Sequence, residues 1–199
     1  MLVLVLTVVA AVQASGLRGT PGWWRDAGIG ARGRAEDGAA LENRITRALT
    51  RVRGGEEDWH AAISSENLNA WLVHRLEETV RTHLGEDAWR DEIRAVRASI
   101  EGDALTVGVR LAHEHGASIV WARLDLGIDG HGRFVVEPRR AYIGTTRVPV
   151  SWAAGRLSPE NLGVARIDLG DGREVVIRGV RIGGGRIEFA MRTRRTGAS

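Results

Sequence analysis

The sequence predicts an α+β domain: two helices followed by an antiparallel sheet of about six strands. Three observations predict it. Apolar residues recur at steps of three and four up to about residue 84, and at steps of two from about residue 93. The gaps between the later apolar segments are hairpin-short, which dictates antiparallel pairing.

The chain opens on Leu2 to Val12 (LVLVLTVVAAV), in which Thr7 is the polar member. Such a run spans about half of a bilayer core as a helix, and Val12-Gln13-Ala14 is an acceptable small-residue cleavage site. Arg18 and Arg25 follow the run, an arrangement that opposes export by the positive-inside tendency. Residues 1–14 therefore read as a signal peptide or as a membrane anchor whose true start lies upstream, with a buried N-terminal helix as the third reading. A membrane-anchored or exported location on the extracytoplasmic (periplasmic) side is expected. Residues 15–35 are Gly-rich, carry Pro21 and read as a linker. Within them Gly28-Ile29-Gly30-Ala31-Arg32-Gly33 matches the dinucleotide fingerprint literally, but no strand precedes it, so it reads as tether. Trp23 and Trp24 are placed at the headgroup level as membrane contacts; the alternative is that they pack on the domain.

The single domain is expected over 36–195. From Glu36 to Arg53, Leu41, Ile45, Leu49 and Val52 make one helical stripe, which Gly54-Gly55 stops. Trp59 to Ile63 alternates as a short strand. Ser64 or Ser65 then caps the longer helix, whose stripe is Leu68, Trp71, Leu72, Leu76, Val80 and Leu84, with Gly85 as its stop. Strands follow on Val96 to Ile100, on Leu105, Val107, Val109 and Leu111, and on Val120 to Ile128, where Leu124 and Leu126 share a face. Further strands run from Arg133 to Ile143, from Arg166 to Leu169, from Arg173 to Ile182 and from Arg186 to Thr193. Gly102-Asp103, Asp129 to Gly132, Gly170 to Gly172 and Gly183 to Gly185 are the turns.

With 199 residues the chain can bury roughly 70% of its unfolded surface and needs no metal or disulfide. Absent cysteine removes thiol catalysis and thiolate metal sites. All 28 positive residues are Arg, and the net charge is only +3. The pI of 10.6 thus reflects missing titratable groups, not a strongly basic surface. Residues 1–55 carry a net of +4, residues 56–177 a net of −6 and residues 178–199 a net of +5. An acidic body argues against nucleic acid as a partner, whereas basic ends suit an anionic membrane surface. Arg192, Arg194 and Arg195, after the last strand, are the expected contact; solvated arginines are the plainer reading.

No residue set specifies a reaction. His113-Glu114-His115 lacks a third metal ligand at a recognisable spacing, and Asp125, Asp129 and Asp171 are explained by tight turns. No metal, cofactor or catalytic residue is therefore assigned, and the chain reads as a non-enzyme, an enzyme using His113 and His115 being the remote alternative. The apolar helix laid on apolar strands is either a plain core or a core that leaves a slot for an acyl chain.

The segment Ile63-Ser64-Ser65-Glu66-Asn67-Leu68-Asn69-Ala70-Trp71-Leu72 resembles the helix-opening motif of YpmS-like envelope proteins and other bacterial members of the TULIP-like (tubular lipid-binding) superfamily: a Ser/Thr cap, an acid, then Leu-Asn-x-aromatic-Leu. Arg140 to Val150 resembles their strand-to-Pro segment. The resemblance covers about 60–190. It implies a curved antiparallel sheet wrapped on the longer helix, an N-terminal membrane anchor and lipid binding without catalysis. The ligand would lie between helix and sheet, on Trp71, Leu72, Leu76 and Val80 from the helix and Leu105, Val107, Val109, Leu124 and Leu126 from the strands. The alternative is a solid-cored envelope scaffold or interaction module with no small ligand. Asn69, which costs up to about 0.7 kcal/mol relative to Ala inside a helix, is expected to hydrogen-bond strand backbone, or else to be an exposed polar position.

Overall fold

The computed structural model describes residues 19–30, 35–53, 56–114, 116–151 and 165–196. In chain order these form helices α1 (Gly22–Gly30) and α2 (Ala35–Thr50), strand β1 (Glu57–Ser64), and helices α3 (Ser65–His74) and α4 (Leu76–Leu84). A short 3₁₀ turn at Glu86–Ala88 leads into β2 (Ile93–Glu101), β3 (Ala104–His113), β4 (Gly116–Ile128), β5 (Phe134–Ile143) and β6 (Thr146–Val148). The chain closes with β7 (Arg166–Asp168), β8 (Arg173–Gly183) and β9 (Arg186–Arg195).

The class is α+β and the pairing antiparallel throughout, but two parts of the expected architecture are corrected. The strands form two sheets, not one of about six strands: four strands in the order β1, β9, β8, β7, and five in the order β2, β3, β4, β5, β6. The first sheet depends on β1 pairing with β9, Glu57 opposite Thr193 and Ser64 opposite Arg186, a contact between chain ends that hairpin spacing does not announce. The longer helix is also divided. At Arg75 the backbone leaves helical geometry (φ −127°, ψ −24°), separating α3 from α4. The Arg75 guanidinium there reaches Glu42 on α2 and Glu78.

Ser64 caps α3 by accepting from the Asn67 amide at 3.2 Å. Alternation then fixes the two faces of the five-stranded sheet. On one face the cross-strand pairs are Val96 with Val109, Ala98 with Val107, and Leu105 with Leu124. Leu72, Leu76 and Val80 pack on this face, together with Ile187 of β9. The four-stranded sheet adds a smaller cluster of Trp59, Val175 and Met191, covered by Ala48 and Leu49 of α2. A bulge between Ile177 and Gly179 moves the strand on by one residue, so Val180 and Ile182 join Ile187 and Phe189 on the same side as Val175 and Ile177. Phe189 touches both clusters.

Residues 15–35 were expected to be a linker, yet 22–30 form a helix that packs against β2 and α3. Trp24 is only 3% exposed. Pro21 initiates the turn by accepting from the Trp24 amide at 3.1 Å. Elsewhere the stripe expected on α2 is only partly used: Leu41 is buried, whereas Ile45 and Val52 are exposed.

Candidate functional site

All nine residues nominated for an apolar ligand fall in one cluster. They divide by exposure. Leu72, Leu76, Val80, Leu105 and Val109 are buried by one another and by Ile93, Val96, Ile100 and Leu111, so the helix face itself is a closed core. Trp71, Val107, Leu124 and Leu126 are half-buried at its edge. The edge coincides with the junction of the two sheets, where β4 meets β8 and half-buried Val180, Ile182 and Phe189 pack on the same cluster. Half-buried apolar residues of the cluster thus lie at the junction between the two sheets as well as on the helix, at Leu68 and Trp71.

Trp71 is committed elsewhere by its polar end. Its Nε1 donates to Glu42 Oε1 at 2.8 Å, and the Arg75 Nη2 donates to Glu42 Oε2 at 3.0 Å. The Arg75 hydrogen bonds hold the Glu42 carboxyl below its usual range against the opposing effect of burial. This node joins α2 to the α3–α4 break and fixes the Trp71 ring.

The residues nominated for membrane contact lie in two places. Trp23 and Trp24 pack on the domain. Trp23 meets Trp121 edge-on at 5.8 Å, Trp121 stacks on Tyr142 at 3.9 Å, and Arg97 lies over the Trp24 ring at 4.8 Å. Gly108 makes room: a Cβ there would stand 3.0 Å from both Trp23 and Trp121. Of the C-terminal arginines, Arg192 is bound by Asp58 through two bonds of 2.6 Å, and Arg194 by Glu174. Arg195 is exposed. The apolar run at 2–12 and the cleavage site lie outside the described residues, and no helix among the described residues is long and apolar enough to cross a membrane.

His113 Nε2 lies 3.1 Å from Ser118 Oγ, while His115 lies outside the described residues. Asp129 accepts from the amides of His131 and Arg133 at 2.9 Å each, and Asp171 accepts from the Arg173 amide at 3.1 Å, the turn roles their neighbours imply. Among the described residues no three His, Cys, Asp or Glu side chains gather as a metal site.

Sequence reading missed the outer face of the five-stranded sheet. Its polar positions were counted within an acidic body, whereas strand alternation brings Arg97, Arg110, Arg123, Arg140 and Arg147 to the side that carries Trp121 and Tyr142. Glu101, Asp125 and Glu137 share that side, so charge summed along the chain shows neither the arginines gathered there nor the acids among them.

Compared with family models, curated proteins and solved structures, the chain matches none.

Proposed function

We propose that the chain is a non-enzymatic, membrane-tethered domain of the cell envelope that holds an acyl chain or similar apolar ligand along the seam between its two sheets. The ligand lies against Val107, Leu124 and Leu126 on one side and Val180, Ile182 and Phe189 on the other. One observation carries this reading: Leu72, Leu76 and Val80 are buried, whereas where β4 meets β8 both sheets contribute half-buried apolar residues to the cluster, as Leu68, Trp71 and Trp89 also do at its helix end. Half-buried apolar residues are what a lipid chain covers with gain, at roughly 25 cal/mol for each Å² removed from water. The apolar run at 2–12 supplies the tether, and the TULIP-like resemblance of residues 63–72 supports the ligand class.

A second reading, a solid-cored scaffold, is favoured by the burial of Leu72, Leu76 and Val80. A photo-crosslinking amino acid placed at Leu126 or at Val80 of the full chain in cells separates the two. A lipid adduct at position 126 and none at position 80 is expected. Absence of adduct at both supports the scaffold.

A further inference from the structure

Beyond the seam, a cavity of about 510 Å³ opens on the opposite face of the five-stranded sheet, between the segment leading into α1 and the β3–β4 hairpin. Gly19 and Thr20 form one wall, Gly116 and Ala117 another, and the guanidinium-bearing side chains of Arg97 and Arg110 stand on its sheet side. The two arginines are diagonal neighbours, Arg97 opposite Gly108 and Arg110 opposite Ala95. Among the described residues no carboxylate lines the cavity.

Burial without an acidic partner sets Arg97 apart. Arg75, Arg81, Arg133, Arg139, Arg173, and the C-terminal Arg192 all have acidic partners. Arg97 has none among the described residues. It spends one donor on the Trp24 carbonyl at 2.8 Å, and its Nε is shut off from solvent with no partner. Burial and the neighbouring charge of Arg110 both push its pKa down, so its charge is held at a cost. Outside the described residues the sequence offers one acidic side chain, Glu160. An under-partnered guanidinium in a cavity with a second cation is matched by a tetrahedral oxyanion, which the planar fork of arginine binds through paired N–H donors.

We propose that the cavity between Thr20 and Arg97/Arg110 is a phosphate-group site, and that its physiological occupant is the phosphate of a lipid headgroup. The choice of a headgroup over a free phosphate rests on the membrane tether proposed above. Gly19, in the cavity wall, is seven residues beyond Val12, so the cavity stays within about 25 Å of the end of the apolar run. The acyl seam and this cavity occupy opposite faces of the same sheet, so the two sites are independent.

The test uses the full chain in neutral detergent, with the Nε–Hε resonance of Arg97 followed by NMR during addition of inorganic phosphate or of a short-chain phosphatidylglycerol. Saturable shifts with both probes, tighter for the lipid, are expected. Arg97→Gln should weaken binding about tenfold or more, as loss of a charge-assisted hydrogen bond does. Arg110→Gln, at an exposed position, should weaken it without disturbing the Trp24 contact. An absence of saturable shift with either probe overturns the site. Tighter binding of inorganic phosphate than of the lipid overturns the headgroup assignment. Membrane fractionation of the same full chain reads the tether separately: a chain in the soluble fraction defeats the tether and the headgroup assignment, while its phosphate titration still decides the cavity.

Discussion

Asn69 acts as a one-residue strand for Ala98. From inside α3, 1% exposed, its Oδ1 accepts from the Ala98 amide at 2.8 Å and its Nδ2 donates to the Ala98 carbonyl at 2.6 Å. β2 is the edge of the five-stranded sheet, and an edge leaves backbone donors and acceptors that need a partner. A third bond, from Nδ2 to the Ser65 carbonyl at 2.8 Å, locks the amide to its own helix. The helix penalty of Asn is thus offset by edge pairing.

Asn69→Ala strips both groups of Ala98 of their partner in a buried place. A loss of about 2–4 kcal/mol is expected, since each buried unsatisfied group costs about 1–3 kcal/mol. Urea unfolding measures it. Asn69→Asp, which keeps the acceptor but loses the donor, should also destabilise; stability equal to the parent in both variants would remove this role.

Glu42 should produce an acid limb in stability. Hydrogen bonding from Arg75 lowers its folded pKa, with Trp71 adding to it. Its stabilisation is therefore fully present above the unfolded carboxyl value of about 4.3 and is lost as pH falls through the lower folded value. Both side chains are about one-third exposed, so solvent screening keeps the effect modest. Thermal unfolding between pH 7 and pH 3 should show a shallower acid decline for Glu42→Gln than for the parent. Parallel curves would show that the node contributes nothing.

Gly108 should resist the addition of one methyl group. A Cβ there meets Trp121 Cβ, fixed to the adjacent strand, and the Trp23 ring, both at 3.0 Å. Gly108→Ala is expected to cost about 1–3 kcal/mol through overpacking and to shift tryptophan emission as Trp23 is displaced. Gly179→Ala is the control, because its nearest neighbour would be 4.0 Å away.

Trp24, buried against the domain, ties α1 to the folded unit. Trp24→Ala should destabilise by about 3–5 kcal/mol, as large-to-small changes of buried aromatics do. A chain started at residue 36 should likewise unfold at lower urea than one started at residue 19. Coincident unfolding curves would return 22–30 to the tether.

Local patterns announced much of this. The alternation of Leu105, Val107 and Val109, the glycine-containing turns, and Asn69 as a polar intruder seeking strand backbone were all legible, because each depends on neighbours a few residues away. What stayed hidden depends on distant partners. The β1–β9 pairing joins residues 57–64 to 186–193. The helix break at Arg75 coincides with its pairing to Glu42, 33 residues earlier. Trp23 and Trp24 sit among glycines that read as linker, and their packing depends on sheet residues far along the chain, Gly108 under Trp23 and Arg97 against Trp24. The nine apolar residues singled out in the sequence do fall in one cluster, but which of them are closed in and which are half-buried depends on how β8 meets β4.

Native mass spectrometry of the full chain, released from membranes and compared with Leu124→Gln and Leu126→Gln, decides whether the seam holds a lipid. About one bound lipid per parent chain, sharply reduced in both variants while their folding is retained, is the expected result. A parent chain that carries no lipid, or one whose lipid is unchanged by both substitutions, would contradict it.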